Sequence, residues 1–155
     1  MSSELVPAIL KAFPHTRYFP QVRLVTWHPQ GLFDEHLANR VVDFIETEER
    51  VADEPFDRFT DLDGLTEIRL KIGHAFTIAE RRKTGYLGDP VKSAFFSERF
   101  VGFGIAHMYE ALMEGARIQV RAFRSREAAA IWLGVPPILL QPPLVSSESG
   151  EGAGT

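Results

Sequence analysis

Cysteine is absent from the 155 residues, which excludes a disulfide framework, a thiolate nucleophile and a zinc–thiolate site. An excess of basic charge is missing as well. The formal net charge is -4, whereas proteins that grip nucleic acid carry a basic footprint. No apolar run approaches the roughly 18 residues that mark a membrane span. The opening MSSELVPAIL lacks the basic and long apolar regions of a signal peptide, so a cytoplasmic location is expected. The five histidines, His15, His28, His36, His74 and His107, show neither HxxxH nor HxH spacing, and neither a metal site nor a cofactor is expected. There is no GxSxG turn for a hydrolase nucleophile, and Ser97 and Ser125 read as helix caps.

What is present is an ordinary globular composition, 45% hydrophobic, in a chain long enough to bury a sizeable core as one domain. The organising stretch is Val91 to Leu133. Val91 to Phe96 is an apolar run bounded by Gly88-Asp89-Pro90 and Ser97, as suits a buried strand. Ser97 is then placed to cap a helix reaching Glu114, with Glu98 in its first turn and Phe100, Gly104, Met108, Ala111 and Leu112 forming one apolar stripe. Gly115 is placed for the left-handed cap. Arg117 to Phe123 alternates as a half-buried strand, with Ile118, Val120 and Ala122 on one face. Ser125 caps a last helix, Arg126 to Leu133, stopped by Gly134 and Pro136. Strands joined through helices in this way are parallel.

Upstream, residues 1–15 read as an arm. Thr16 to Phe19 and Val22 to His28 read as a hairpin about Pro20-Gln21, ended by Pro29-Gln30-Gly31. Asp34 caps a helix of Glu35 to Val51 that buries Leu37, Val41, Phe44 and Ile45. Phe56 to Leu62 reads as a strand, the chain then runs extended through Leu70, and Ile72 to Lys83 reads as a helix. One domain is expected over residues 16–134. Residues 135–155, rich in proline, serine and glycine, are expected to be disordered.

Assembled, the order is β-β-α-β-α-β-α-β-α, an α/β domain with a mixed four- to five-stranded sheet and helices mainly on one face. This order resembles the STAS superfamily, in its SpoIIAA-like branch. The resemblance is carried by the opening hairpin ending at Gly31, the Asp61-Leu62 pair closing the third strand, and the closing pattern Ile118 to Phe123, Ala128 to Ala130 and Trp132-Leu133. It implies a non-catalytic module that binds a protein partner. Anti-sigma antagonists of that superfamily are switched on a serine in an Asp-Ser-Ser/Thr-Gly turn. The stretch here that is similar in position, Thr66 to Gly73, has neither the motif nor a serine. The SpoIIAA-like branch generally lacks the switch, and its own resemblance to CRAL-TRIO lipid-transfer proteins implies an apolar ligand.

Three functional readings follow. The first is a regulatory or scaffolding module that captures a protein partner through Asp61, Asp63, Thr66 and Arg69 and forms a small homo-oligomer such as a homodimer. The second is a carrier of an apolar small molecule held between the sheet and helices bearing Phe76, Phe100 and Phe103. The third, an enzyme using Asp61, Asp63 and a histidine, competes with the simpler reading of Asp-Leu-Asp-Gly as a strand-ending turn. Gly102-Phe103-Gly104 lies inside a helix rather than before it, so close packing explains it better than phosphate binding. The charge is segregated along the chain. Asp43 to Glu67 holds ten acidic and two basic residues, and Arg69 to Arg126 holds eleven basic and five acidic. The two blocks either pair locally or form a dipolar surface that steers a partner.

Overall fold

The structure, a computed structural model, describes residues 14–143. In chain order the elements are β1 (Thr16–Phe19), β2 (Leu24–Trp27), β3 (Gly31–Asp34), α1 (Glu35–Val51), β4 (Asp57–Asp61), β5 (Leu65–Arg69), α2 (Ile72–Gly85), β6 (Val91–Phe96), α3 (Phe100–Leu112), β7 (Ile118–Phe123) and α4 (Arg126–Leu133). Short 3₁₀ turns occupy Leu62–Gly64 and Pro137–Leu140. The main sheet has the strand order β1-β2-β4-β6-β7. Its β1–β2 hairpin is antiparallel and every other pair is parallel. This is the expected mixed α/β sheet. Two strands are additional, because β3 and β5 pair in parallel as a separate ribbon. The sequence marks Gly31 only as the end of a hairpin. At φ 82° it turns the chain sharply, in a conformation glycine adopts without strain, and β3 begins there.

Side chains alternate between the two faces of a strand, and the two faces of this sheet are covered differently. Leu24, Phe59, Ala94 and Phe96 point to one face and are fully buried beneath Ala129, Ala130 and Leu133 of α4 and Leu140 of the last 3₁₀ turn. Val25, Arg58, Thr60, Ser93, Phe95 and Val120 point to the other, where they meet Val41 and Ile45 of α1, Ile78 of α2, and Ile105 and Met108 of α3. Among the described residues, three of the four helices therefore share one face.

The caps at Asp34 and Ser125 form as expected, accepting hydrogen bonds from the amides of Leu37 (2.9 Å) and Ala128 (3.1 Å). Gly115 and Gly134 take the left-handed conformation at φ 84° and 75°. Ser97 does not cap a helix. Its hydroxyl donates to Asp63 (2.8 Å) and accepts from the Arg99 amide (3.1 Å), and α3 starts after Arg99. The buried stripe of α3 is correspondingly rotated: Gly102, Ala106 and Met113 are buried, while Phe100 is 82% exposed. The cause is close approach. A Cβ at Gly102 would lie 2.9 Å from the Ser97 Cβ, so only glycine lets the helix sit there, whereas Gly104 faces open space.

The expectation of disorder from residue 135 onward fails for Pro137–Leu140, which carries Leu140 back into the core. His28 Nε2 lies 3.1 Å from the Leu140 carbonyl, and Arg17 donates to the Gln141 carbonyl. Prolines in this stretch narrow the unfolded ensemble, so ordering it costs less than its composition suggests. The remaining tail, 144–155, and residues 1–13 of the arm lie outside the described residues.

Candidate functional site

A cavity of about 220 Å³ lies between the sheet and α1, α2 and α3. Trp27 and Phe95 of the sheet, Phe44 and Ile45 of α1, Ile78 of α2 and Met108 of α3 supply apolar wall. All six are half-buried. On the opposite face Leu24, Ala94 and Phe96 are completely buried, whereas on this one even the central Val25, Arg58, Thr60 and Ser93 keep 6 to 9% exposure. Interiors normally pack to crystal-like density with few voids larger than a water molecule, so the difference between the two faces marks this one as a site.

Near the middle of the sheet the wall turns polar. Arg58 of β4 stands directly beside Ser93 of β6 in the strand register, and Thr60 is two residues further along the same face. Arg58 is only 8% exposed. Its Nε donates to the Phe56 carbonyl (2.9 Å), its Nη1 donates to Glu49 of α1 (2.7 Å), and its guanidinium lies 4.4 Å from the Phe56 ring centre. Arg82 of α2 meets the same carboxylate with a two-pronged bond, 3.1 Å to Oε1 and 2.6 Å to Oε2. Burial by itself would push the Glu49 carboxyl up, but the hydrogen bonds and charges of Arg82 and Arg58 outweigh it and hold the carboxyl below the ordinary range. Burial lowers Arg58 despite the opposing pull of Glu49, while Arg82, better paired, ends raised. Arg58 makes one bond to Glu49 where Arg82 makes two, and is the less compensated of the pair. Tyr109 of α3 also lines the cavity, and burial pushes its hydroxyl up, so it stays protonated as a donor.

The same contacts resolve the segregated charge of the sequence. Arg81 donates to Asp43 (2.7 Å) and Glu46 (2.6 Å), beside the Arg82–Glu49 pair. Where α1 and α2 meet, the acidic residues of one and the basic residues of the other pair locally.

The residues singled out in the sequence fall elsewhere. Asp61 is 3% exposed at the end of β4. Its carboxylate accepts from the Asp63 amide (2.9 Å) and Arg126 Nη2 (2.7 Å), and lies 3.7 Å from His28 Nε2. Asp63 accepts from the Ser97 hydroxyl and the Glu98 amide (3.1 Å), and Arg99 donates to its carbonyl. These are the bonds of a strand-ending turn. Thr66 and Arg69 are exposed on β5. With Asp61 sealed in, the four do not make one accessible surface. Phe76 is 54% exposed. Phe103 stacks on His107 with Arg124 over its ring. None of Phe76, Phe100 and Phe103 lines the cavity. Among the described residues, no three His, Cys, Asp or Glu side chains are grouped to hold a metal ion, and no helix is long and apolar enough to cross a membrane.

Sequence reasoning passed over Arg58, Thr60, Ser93 and Arg82. A signal was available in Phe56-Asp-Arg-Phe-Thr-Asp61, where arginine and threonine alternate with a core phenylalanine on a central strand. Polar side chains on the inner face of a doubly covered sheet need partners, and that requirement marks a lined site.

Fold and site together define a class: a mixed-sheet α/β domain, sealed on one face and holding an apolar, arginine-edged cavity on the other. No protein family matches the chain, and no curated protein matches it. Among proteins of known structure it is similar to an uncharacterized protein from the DUF3478 family, with a SpoIIAA-like fold, from Shewanella loihica PV-4. The two are 10% identical, with a TM-score of 0.46, over 71% of this chain and 83% of that one.

Proposed function

We propose that the protein is a binding module without catalytic chemistry of its own, which carries or senses an apolar small molecule between the sheet and α1–α3. The observation that carries this reading is the cavity, whose wall is made mainly of apolar side chains, among them the half-buried Trp27, Phe44, Ile45, Ile78, Phe95 and Met108. Small-molecule sites are concave and mostly apolar, with a few placed polar groups to fix orientation, and Arg58, Ser93, Thr60 and Tyr109 supply such groups here. The test is native mass spectrometry of freshly purified protein, paired with titration of an environment-sensitive apolar dye. A co-purifying mass lost on denaturation, or saturable dye binding reduced by Met108→Trp, is the expected result. Bare protein together with dye binding that Met108→Trp leaves unchanged would overturn it.

A second reading, capture of a protein partner, is favoured by a different observation. Ile72 and Phe76 on the first turns of α2, and Phe100 and Val101 at the start of α3, are each more than half exposed. Thr66 and Arg69 of the expected partner surface are exposed as well. Phe100→Asp combined with Arg69→Ala should abolish partner capture, or self-association read by sedimentation, without lowering thermal stability. Unchanged association would remove this surface.

A further inference from the structure

The cavity selects for charge as well as for apolarity. Its ionisable lining residues are Arg58, Arg82 and Tyr109, and no carboxylate lines it. The carboxylates that compensate the two arginines belong to its surroundings and are already engaged. Glu49 Oε2 accepts from both Arg58 and Arg82, and Oε1 from Arg82. Glu46 reaches Arg82 only at 3.7 Å and is committed to Arg81 by bonds of 3.0 and 2.6 Å. Two buried guanidinium charges therefore share one fully engaged buried carboxylate at the edge of an apolar space. Uncompensated buried charge is costly, and an anion entering from the cavity would relieve it. Arg58 and Ser93 are direct neighbours in the register and both line the cavity, which puts a guanidinium and a hydroxyl donor on the same wall. Charge-assisted bonds from such a pair suit the two oxygens of a carboxylate.

Size narrows the ligand further. A cavity of about 150 Å³ accommodates benzene. In proportion, about 220 Å³ takes a ligand of roughly nine or ten non-hydrogen atoms, below the range of about 300 Å³ and more that serves larger ligands. Phospholipids and sterols are too large. We infer that the ligand is an apolar monocarboxylate of about ten non-hydrogen atoms, its carboxylate at Arg58 and Ser93 and its chain among the apolar residues of α1, α2 and α3. This inference rests on the apolar-ligand reading and adds the head group to it.

The test uses the full chain and two probes of equal length, octanoate and 1-octanol, titrated calorimetrically at neutral pH. Octanoate is expected to bind at least tenfold more tightly than 1-octanol. Ser93→Ala is expected to weaken octanoate several-fold and leave the alcohol unchanged. Arg58→Met, where it folds, is expected to remove the preference altogether. Carboxyl-labelled octanoate followed by carbon NMR is expected to stay ionised to lower pH when bound than when free. Equal binding of the two probes, or tighter binding of the alcohol, overturns the carboxylate assignment while leaving the apolar-ligand reading in place. Binding of neither probe at millimolar concentration overturns both.

Discussion

Replacing Glu49 with glutamine tests how the cavity's edge is held together. The carboxylate receives three hydrogen bonds of 2.6 to 3.1 Å from Arg58 and Arg82. Its side chain is 8% exposed, and those of its partners 9% and 6%. Removing one partner from a buried ion pair costs about 3 to 5 kcal/mol, because the remaining charge is left buried and unpaired. Here two charges lose their common partner and only Glu46, 3.7 Å from Arg82, remains near. For a chain of this size that loss lowers the melting temperature by roughly 10 to 15 °C. Urea and thermal unfolding followed by circular dichroism measure it. Glu46→Gln is the control, since Glu46 chiefly serves Arg81, a partly exposed partner, and pairs of that kind contribute about 1 kcal/mol or less. The dependence on pH follows from the lowered Glu49 pKa. Stability from a depressed carboxylate is present above its unfolded pKa and is lost as pH falls through the folded one. Wild type should therefore lose stability on acidification more steeply than Glu49→Gln. A variant within about 1 kcal/mol of wild type, or a control that costs as much, would show that Glu49 is not what compensates the two arginines.

Three further outcomes are expected. Leu140→Ala should cost about 2 to 5 kcal/mol, as for other fully buried leucines, and truncation after Gly134 should destabilise at least as much; if both melt with wild type, the last 3₁₀ turn does not seal the core. His28 is held neutral mainly by burial, against the pull of the Leu140 carbonyl and Asp61, with Arg17 and Arg126 adding to the lowering. The unfolded chain then takes up the proton first, so stability should fall as pH drops below the ordinary histidine range of about 6.5; a His28→Gln variant with the same pH slope would remove this account. Gly102→Ala should destabilise and shift the NMR signals of Ser97, because the added methyl meets the Ser97 side chain, whereas Gly104→Ala, in open space, should stabilise slightly by favouring helix. The reverse order would mean that α3 is phased differently.

Much of the fold was legible because it is written in local signals. Asp34 and Ser125 cap their helices, Gly115 and Gly134 follow theirs in the left-handed conformation, and β6 and α4 occupy the spans that their flanking turn residues delimit. Of the β3–β5 ribbon only the extended course through Leu70 was legible, and neither β3 nor the pairing was. Its strands are four and five residues long, too short for alternation to separate them from loop, and each exists only because the other lies beside it. The stripe of α3 misled for a related reason. Three- and four-residue spacing puts Phe100 and Gly104 on the buried stripe, but the space beside Ser97 and Leu62 admits only the glycine at position 102.

The sequence by itself determined the class of fold, the order of its main elements and the absence of any cysteine chemistry, since these depend on residue type and on neighbours a few positions away. The tertiary structure alone decided which residues line the candidate site between sheet and helices. Glu49, Arg58, Arg82, Ser93 and Tyr109 come from three helices and two strands, and no spacing along the chain announces that they meet. Their juxtaposition follows from how far α1–α3 stand off one face of the sheet while α4 and Leu140 close the other, and packing between distant segments sets that separation.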